Sequence, residues 1–89
     1  MGEPGKKPGE KVYEIVVNGT LAPVGHARVS YEEVVQIAFP VPPPNVSFYS
    51  VTYRNADGPH GGTGMLVAGG SVTVKREGTS FDVVATIRS

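Results

Sequence analysis

The 89-residue chain contains no cysteine and carries no net charge, and each absence excludes a class of function. Without cysteine it cannot hold a disulfide framework, a thiolate zinc site, an iron–sulfur cluster or a thiol nucleophile. Its 8 basic residues balance 8 acidic ones, which argues against nucleic acid as the main partner and against a polybasic membrane anchor. No apolar run approaches the roughly 18 residues of a membrane-spanning helix, so we expect no membrane partner.

The first ten residues differ in composition from the rest of the chain. Residues 1–10 (MGEPGKKPGE) contain, after Met1, only glycine, proline, lysine and glutamate. Such a segment has almost no apolar surface to bury, so we expect a disordered tail there and a folded domain over residues 11–89. The segment also lacks the apolar stretch of a signal peptide, which makes the cytoplasm the expected location.

Strand patterns alternate with glycine- and proline-rich turns over the rest of the sequence. Residues 11–18 place apolar side chains at period two and end in Asn18-Gly19, a pair typical of a two-residue hairpin turn. The hairpin predicts a second strand over residues 21–29, which Pro23 and Gly25 restrict to an edge or a bulged position. Further strands are predicted over residues 46–54, 71–75 and 80–88, with a tight turn over residues 76–79. Residues 65–67 are expected to form either a short strand or a buried plug.

One helix is predicted between the second and third strands. Ser30, with Glu33 three residues later, forms a capping box, in which the serine hydroxyl accepts the Glu33 N–H and the glutamate reaches back. An apolar stripe follows at helical spacing: Tyr31, Val34, Val35 and Ala38. Prolines from residue 40 onward end the helix. This order predicts an α+β domain, a mixed sheet of four to five strands with one helix across it.

No group of residues in the sequence indicates catalysis. Residues 64–71 resemble a phosphate-binding loop, but Gly70 stands where that loop needs lysine. His60 shares a flexible loop with Asp57, without a rigid nucleophile or an oxyanion hole. His26 and His60 are the only imidazoles, too few for the three or four convergent ligands of a metal site. We therefore expect a protein without enzyme activity, metal or cofactor, which other proteins bind.

Three segments resemble a known family. Pro42–Pro44 is similar to the proline pair that follows the helix of ubiquitin. Residues 70–83 contain a valine-rich strand, a glycine turn and a Phe-x-Val strand, and they resemble the closing stretch of prokaryotic multiubiquitin-type domains. Residues 29–38 resemble the helix of those domains. Residues 11–88 are thus similar to the ubiquitin-like β-grasp proteins of bacterial ubiquitination-like operons.

The resemblance implies a protein modifier that performs no chemistry itself. Homologues of ubiquitin-activating and conjugating enzymes would activate its C-terminal carboxylate and join it to a target protein. A JAB-type protease homologue would be a further partner, and the pathway would act in antiphage defence. Ser89 would be the conjugation terminus. The sequence departs from ubiquitin at this point, because residues 86–89 read TIRS where ubiquitin ends in Gly-Gly.

The strand pattern and the resemblance together predict a recognition face. The regular apolar residues of the last strand are expected to face the helix, joined by two valines of the preceding strand: Phe81, Val83, Ala85 and Ile87, with Val72 and Val74. The opposite side would then expose a modest docking patch, which other proteins could bind: Val12, Val16, Val84, Thr86 and Arg88.

Two other functions stay open from the sequence. A β-grasp adaptor that binds a partner without being conjugated would explain the missing Gly-Gly. A small secreted β-sandwich that binds sugars or peptides would fit the content of serine, threonine and glycine. This last hypothesis predicts no helix at residues 31–39.

Overall fold

A computed structural model describes residues 12–58 and 62–88. The N-terminal tail, His60 and Ser89 lie outside the described residues, so the predictions that concern them are not addressed by the fold. The elements follow in the order β1 (Tyr13–Val17), β2 (Thr20–Val24), β3 (Arg28–Ser30), α1 (Tyr31–Ala38), β4 (Val46–Arg54), β5 (Gly64–Leu66), β6 (Ser71–Thr73) and β7 (Glu77–Ile87).

Five strands form one mixed sheet in the order β2-β1-β7-β4-β5. β1 and β7 run parallel, whereas the other neighbours in this sheet are antiparallel. A separate two-stranded antiparallel ribbon joins β3 to β6. Helix α1 packs across one face of the sheet, against β1, β4 and β7. The architecture confirms the predicted α+β β-grasp fold, with its single described helix on a mixed sheet.

The hairpin between β1 and β2 explains how a proline fits into β2. Asn18 and Gly19 both have positive φ, at 51° and 82°, as a tight hairpin turn requires. The residues that flank such a turn form a hydrogen-bonded pair, and the pairs then alternate, so Pro23 belongs to a non-hydrogen-bonded pair with Glu14. Proline therefore lacks its N–H on the outer side of β2, which has no neighbour in the sheet. The predicted edge position is confirmed.

Two strand predictions were wrong in their extent. Residues 21–29 do not form one strand: β2 ends at Val24, the chain bends, and β3 pairs with β6 in the ribbon. The last strand begins at Glu77, so no tight turn occupies residues 76–79. Gly78 has a φ of 96°, and this conformation, which other residues rarely adopt, lets β7 bend where its register with β1 shifts.

Helix α1 begins and ends as predicted, but its N-terminal cap is only half of a capping box. The Glu33 N–H donates to Ser30 Oγ at 3.1 Å. The Glu33 carboxylate does not reach back; it pairs with Nε2 of His26, whose distances to the two carboxylate oxygens are 2.9 and 2.8 Å. The Glu32 carboxylate also has a partner, because it accepts the Gly69 N–H at 3.0 Å.

The core lies between α1 and the sheet. Its buried members come from every layer: Ile15, Val17, Val24, Val29, Val34, Val51, Leu66, Val74, Phe81 and Val83. The predicted positions of Phe81, Val83 and Val74 are confirmed, and Val72 packs half-buried against this cluster. Ile87 shares the side of β7 that carries Val83 but is not covered by the helix, and its side chain is 51% exposed. Its exposure follows from length, because the 8-residue helix is about 12 Å long and the 11-residue β7 about 36 Å.

Candidate recognition surface

The sheet face opposite α1 carries a cluster of exposed apolar side chains. On β4, Val51 is fully buried toward the helix, so its neighbours Ser50 and Thr52 point to the opposite face. The register places Ser50 opposite Val84 of β7 and Thr52 opposite Met65 of β5. This face is therefore built from three strands, β7, β4 and β5, with two small hydroxyl side chains at its centre.

Four large side chains surround these hydroxyl residues. Phe48 is 56% exposed, Met65 66%, Val67 63% and Val84 58%. Phe48, Met65 and Val67 line one shallow groove, and Val84 is the cross-strand partner of Ser50 in its floor. We call these four residues the apolar patch. Contiguous exposed apolar surface of this kind marks protein interaction sites more often than scattered single residues do.

Two of the residues predicted for the recognition face lie at the apolar patch. Val84 is a member of it, and the half-buried Thr86 is the cross-strand partner of Phe48. Arg88 is exposed just beyond β7, where its N–H donates to the Asn45 carbonyl oxygen at 2.7 Å. These three positions share the end of the sheet at which β7 finishes.

The other two predicted residues lie elsewhere. Val16 is half-buried and faces the same side, but it pairs with Leu21 and Ser80, about 13 Å along β7 from Val84. Val12 precedes β1 and lines a small polar cleft with Arg76 and Glu77. The structure thus does not bring Val12 and Val16 together with the apolar patch.

The sequence pattern does not assign Phe48, Met65 or Val67 to the recognition face. The alternation along β4 separates Phe48, Ser50 and Thr52 from Tyr49, Val51 and Tyr53, but aromatic residues occur in both sets. Only the register with β7 and β5 shows which set is uncovered. A local signal existed in the two hydroxyl residues that follow Phe48 at period two, since a row with a polar majority is typical of an exposed face.

The apolar patch itself carries no charged side chain. The nearest ion pair joins Arg54 Nη2 to Asp82 Oδ2 at 3.4 Å, and Asp82 is the cross-strand partner of Thr52. Both side chains are more than half exposed, so this pair contributes little to stability. Recognition at the patch would therefore rest on apolar contact, with the ion pair at its rim.

The described residues contain no group that suggests chemistry. In residues 12–58 and 62–88, no three histidine, cysteine, aspartate or glutamate side chains lie close enough to hold a metal ion. The imidazole of His26 is occupied by Glu33. Over the same ranges, no helix has the length and apolarity needed to cross a membrane. Among the hydrogen bonds of the described residues, no serine or threonine hydroxyl is paired with an imidazole or a carboxylate.

A hairpin, a helix across a mixed sheet, a central parallel pair and an uncovered apolar face define a ubiquitin-like domain of the β-grasp class. Residues 13–87 match the family model described as Multiubiquitin, and the match extends from the start of β1 to the end of β7. The chain therefore belongs to the Multiubiquitin family. No curated protein and no solved structure gives a significant match to it.

Proposed function

We propose that the protein is a ubiquitin-like modifier, whose C-terminus is activated and conjugated to target proteins in a bacterial, cytoplasmic pathway that acts against phage. The observation that carries this proposal is the Multiubiquitin match over residues 13–87, the whole of the β-grasp domain. Its partners would be homologues of the activating enzyme, the conjugating enzyme and a JAB-type protease, together with the target.

In this function the enzymes supply all of the chemistry. The activating enzyme would adenylate the C-terminal carboxylate with release of pyrophosphate, and a cysteine thiolate would displace AMP to form a thioester. A target amine or hydroxyl would then displace the thiol. The chain contributes a stable body and a surface by which each enzyme holds it, and the apolar patch is the described surface best suited to that contact.

The apolar patch lies near the C-terminal end of β7, which supports its role as the surface by which an enzyme holds the protein. Val84 and Thr86 lie on the last strand, and Arg88 follows within about 13 Å of Val84. A protein bound at the patch would therefore sit beside the end of β7. The last described contact of that end is the bond from the Arg88 N–H to the Asn45 carbonyl oxygen, which an enzyme would have to release before drawing Arg88 away from the sheet.

Intact mass spectrometry tests the proposal directly. The protein is co-expressed with activating- and conjugating-enzyme homologues from the same genome, and every species is weighed. Conjugation adds the mass of the protein, less one water, to a second polypeptide. The matched control replaces the catalytic cysteine of the activating enzyme by alanine, which must abolish the new species. If all of the protein stays unmodified while the activating enzyme consumes ATP, the proposal is wrong.

A non-conjugated adaptor is the second candidate, and one observation favours it. The apolar patch is exposed on the sheet face away from the helix, so it could bind a partner without any step at the C-terminus. An adaptor would bind the same enzymes without gaining or losing mass. The β-sandwich hypothesis is wrong, because α1 occupies Tyr31–Ala38, where that hypothesis predicted no helix.

A further inference from the structure

Strand β4 extends beyond one of its two neighbours. β7 pairs with β4 from Val46 to Arg54, whereas β5 pairs only with the segment from Val51 to Tyr53. Among the described residues, the backbone of residues 47–50 makes no further backbone hydrogen bond outside the sheet. The edge of β4 that faces away from β7 is therefore open over residues 46–50, and we call this stretch the open edge.

The carbonyl group of Tyr49 shows which backbone groups point into the open edge. Its oxygen accepts a bond from the Tyr31 hydroxyl at 3.4 Å, on the side away from β7. In an antiparallel strand the N–H and the C=O of one residue point to the same side. The Tyr49 N–H therefore also points outward, two residues before Val51, which is paired with Leu66 of β5.

Apolar surface flanks the open edge on both sides. A groove of about 490 Å³ runs between α1 and β4, with Val35, Phe39 and Pro42 in its walls. A second groove, of about 310 Å³, contains Phe48 and Val67 of the apolar patch. The two grooves share Tyr31 and Tyr49, so they form one continuous depression along the edge. Glu32 is the one charged side chain among the residues that line them.

We propose that the open edge binds a short extended segment of a partner protein, which adds to the sheet as a strand beside β4. The Tyr49 N–H has no partner among the described residues, and the Tyr49 carbonyl oxygen is held only by the long 3.4 Å bond from the Tyr31 hydroxyl, so an extended backbone is the occupant that could pair with both groups. Side chains alternate in such a strand, so one set would meet Val35 and Phe39 and the other set Phe48 and Val67. The segment should therefore be four or five consecutive apolar residues, about 17 Å long, with a basic residue where it passes Glu32.

The geometry disfavours a second copy of the chain as the occupant. The open edge ends at β5 on one side and follows the turn at Asn45 on the other, so only five residues are accessible. A stable dimer interface uses roughly 20–30 residues a side. The exposed edge of β2 is also interrupted by Pro23, which cannot donate a backbone bond to a neighbouring strand. This proposal does not rest on conjugation, since an adaptor could bind in the same way.

Peptide selection followed by NMR tests the proposal. A random heptapeptide display library is selected on the folded protein, and the most enriched peptide is synthesised in two forms. One form is unmodified, and the other carries N-methyl groups on alternate amides, which keeps every side chain and removes backbone donors. We expect amide shifts centred on Tyr49 and Val67, cross-strand NOEs to Tyr49, and about tenfold weaker binding of the methylated form.

Two variants separate the open edge from general apolar adhesion. Val67→Asp should weaken the peptide at least about tenfold, whereas Leu21→Asp, equally exposed at the opposite edge of the sheet, should leave its affinity unchanged. A third form of the peptide carries the N-methyl groups on the other set of alternate amides, so that one of the two methylated forms blocks the amides that face β4. The proposal is overturned if no peptide is enriched, if neither methylated form binds more weakly than the unmodified peptide, or if the shifts centre on Leu21. It is also overturned if sedimentation shows that the protein alone forms a dimer and that Val67→Asp, but not Leu21→Asp, dissociates it.

Discussion

The side-chain amide of Asn18 holds both backbone polar groups of Val83. Nδ2 donates to the Val83 carbonyl oxygen at 3.1 Å, and Oδ1 accepts the Val83 N–H at 2.8 Å. The Asn18 N–H also donates to the Phe81 carbonyl oxygen at 2.9 Å. Asn18 therefore extends the parallel pairing of β1 with β7 by one further step, while its own backbone has already turned into the hairpin at a φ of 51°.

Replacing Asn18 with glycine should separate these two roles. Glycine accepts the positive φ of the turn but leaves the N–H and C=O of Val83 without their partners. We expect a loss of about 1–3 kcal/mol in the free energy of unfolding, measured by urea denaturation. Gly19→Ala is the control, because it strains the turn and leaves the amide in place. If Asn18→Gly is as stable as the parent protein, the hydrogen bonds from the Asn18 amide to Val83 do not contribute to stability and Asn18 serves only the turn.

The Asn18→Asp variant should make stability depend on pH. One oxygen of the introduced carboxylate could still accept the Val83 N–H. The other oxygen would replace Nδ2, the donor to the Val83 carbonyl oxygen, and two acceptors would then face each other. Its protonated form can donate to that oxygen, so folding should raise the pKa of the new group above its usual value near about 3.9. The free energy of unfolding of the variant should therefore be close to that of the parent protein below that pH, and it should decrease relative to the parent as the pH rises through the raised pKa. A constant difference in unfolding free energy from pH 3 to pH 7 would contradict this.

Thr79 is the buried polar side chain among the described residues, and its hydroxyl joins two loop segments. Oγ1 donates to the Asn55 carbonyl oxygen at 2.7 Å and accepts the Lys75 N–H at 3.0 Å. Thr79→Val keeps the shape but leaves both groups unpaired, so we expect a loss of about 2–3 kcal/mol in urea denaturation. Thr79→Ser keeps the hydroxyl and should lose only about 1 kcal/mol. If the serine variant is the weaker of the two, packing outweighs the hydrogen bonds.

The cap of α1 should depend on Ser30 and hardly at all on Glu33. Ser30→Ala removes the acceptor of the Glu33 N–H and should cost about 1 kcal/mol of unfolding free energy. Glu33→Gln keeps that N–H and weakens only the exposed pairing with His26, which should cost about 0.5 kcal/mol or less. Thermal unfolding of the two variants at pH 7 compares them. A larger loss from Glu33→Gln than from Ser30→Ala would mean that the pairing of Glu33 with His26 contributes more to stability than the cap does.

Local patterns predicted most of the fold because its elements begin and end at local signals. Ser30 starts the helix, and Asn18-Gly19 fixes the hairpin, in each case through bonds to residues a few positions away. The division of residues 21–29 into β2 and β3 could not be predicted in this way, because β3 exists through its pairing with β6, more than forty residues later in the chain. The amide of Asn18 likewise acts on Val83, 65 residues away.

The candidate site depended even more on distant contacts. The alternation along β7 assigns Phe81 and Val83 to the helix side, and it therefore predicts that Val84 points outward, although Val84 is itself the apolar exception in the outward row. Phe48 and Met65 needed the register that places β4 between β7 and β5, which no local spacing specifies. The alternation of side chains along β1 places Val12 and Val16 on the same row of that strand, and this is why they were included in the predicted recognition face. Alternation assigns a residue to one side of a sheet but does not say at which end of the sheet it lies.

Charge introduced at the apolar patch should weaken partner binding without unfolding the domain. Val84→Asp changes a side chain that is 58% exposed on the sheet face away from the helix, so it should cost only about 1 kcal/mol of unfolding free energy, mainly through the low strand propensity of aspartate. If the activating-enzyme homologue holds the protein by this patch, the affinity measured by calorimetry should fall about tenfold or more, because a carboxylate would lose its water in an apolar contact.

Thr52, between Met65 and Asp82 on the same face, offers the matched control. Thr52→Ser removes one methyl group, adds no charge, and should leave binding unchanged. Equal affinity of Val84→Asp and the parent protein, with both folded, would exclude the patch from that interface and direct the search to the open edge of β4.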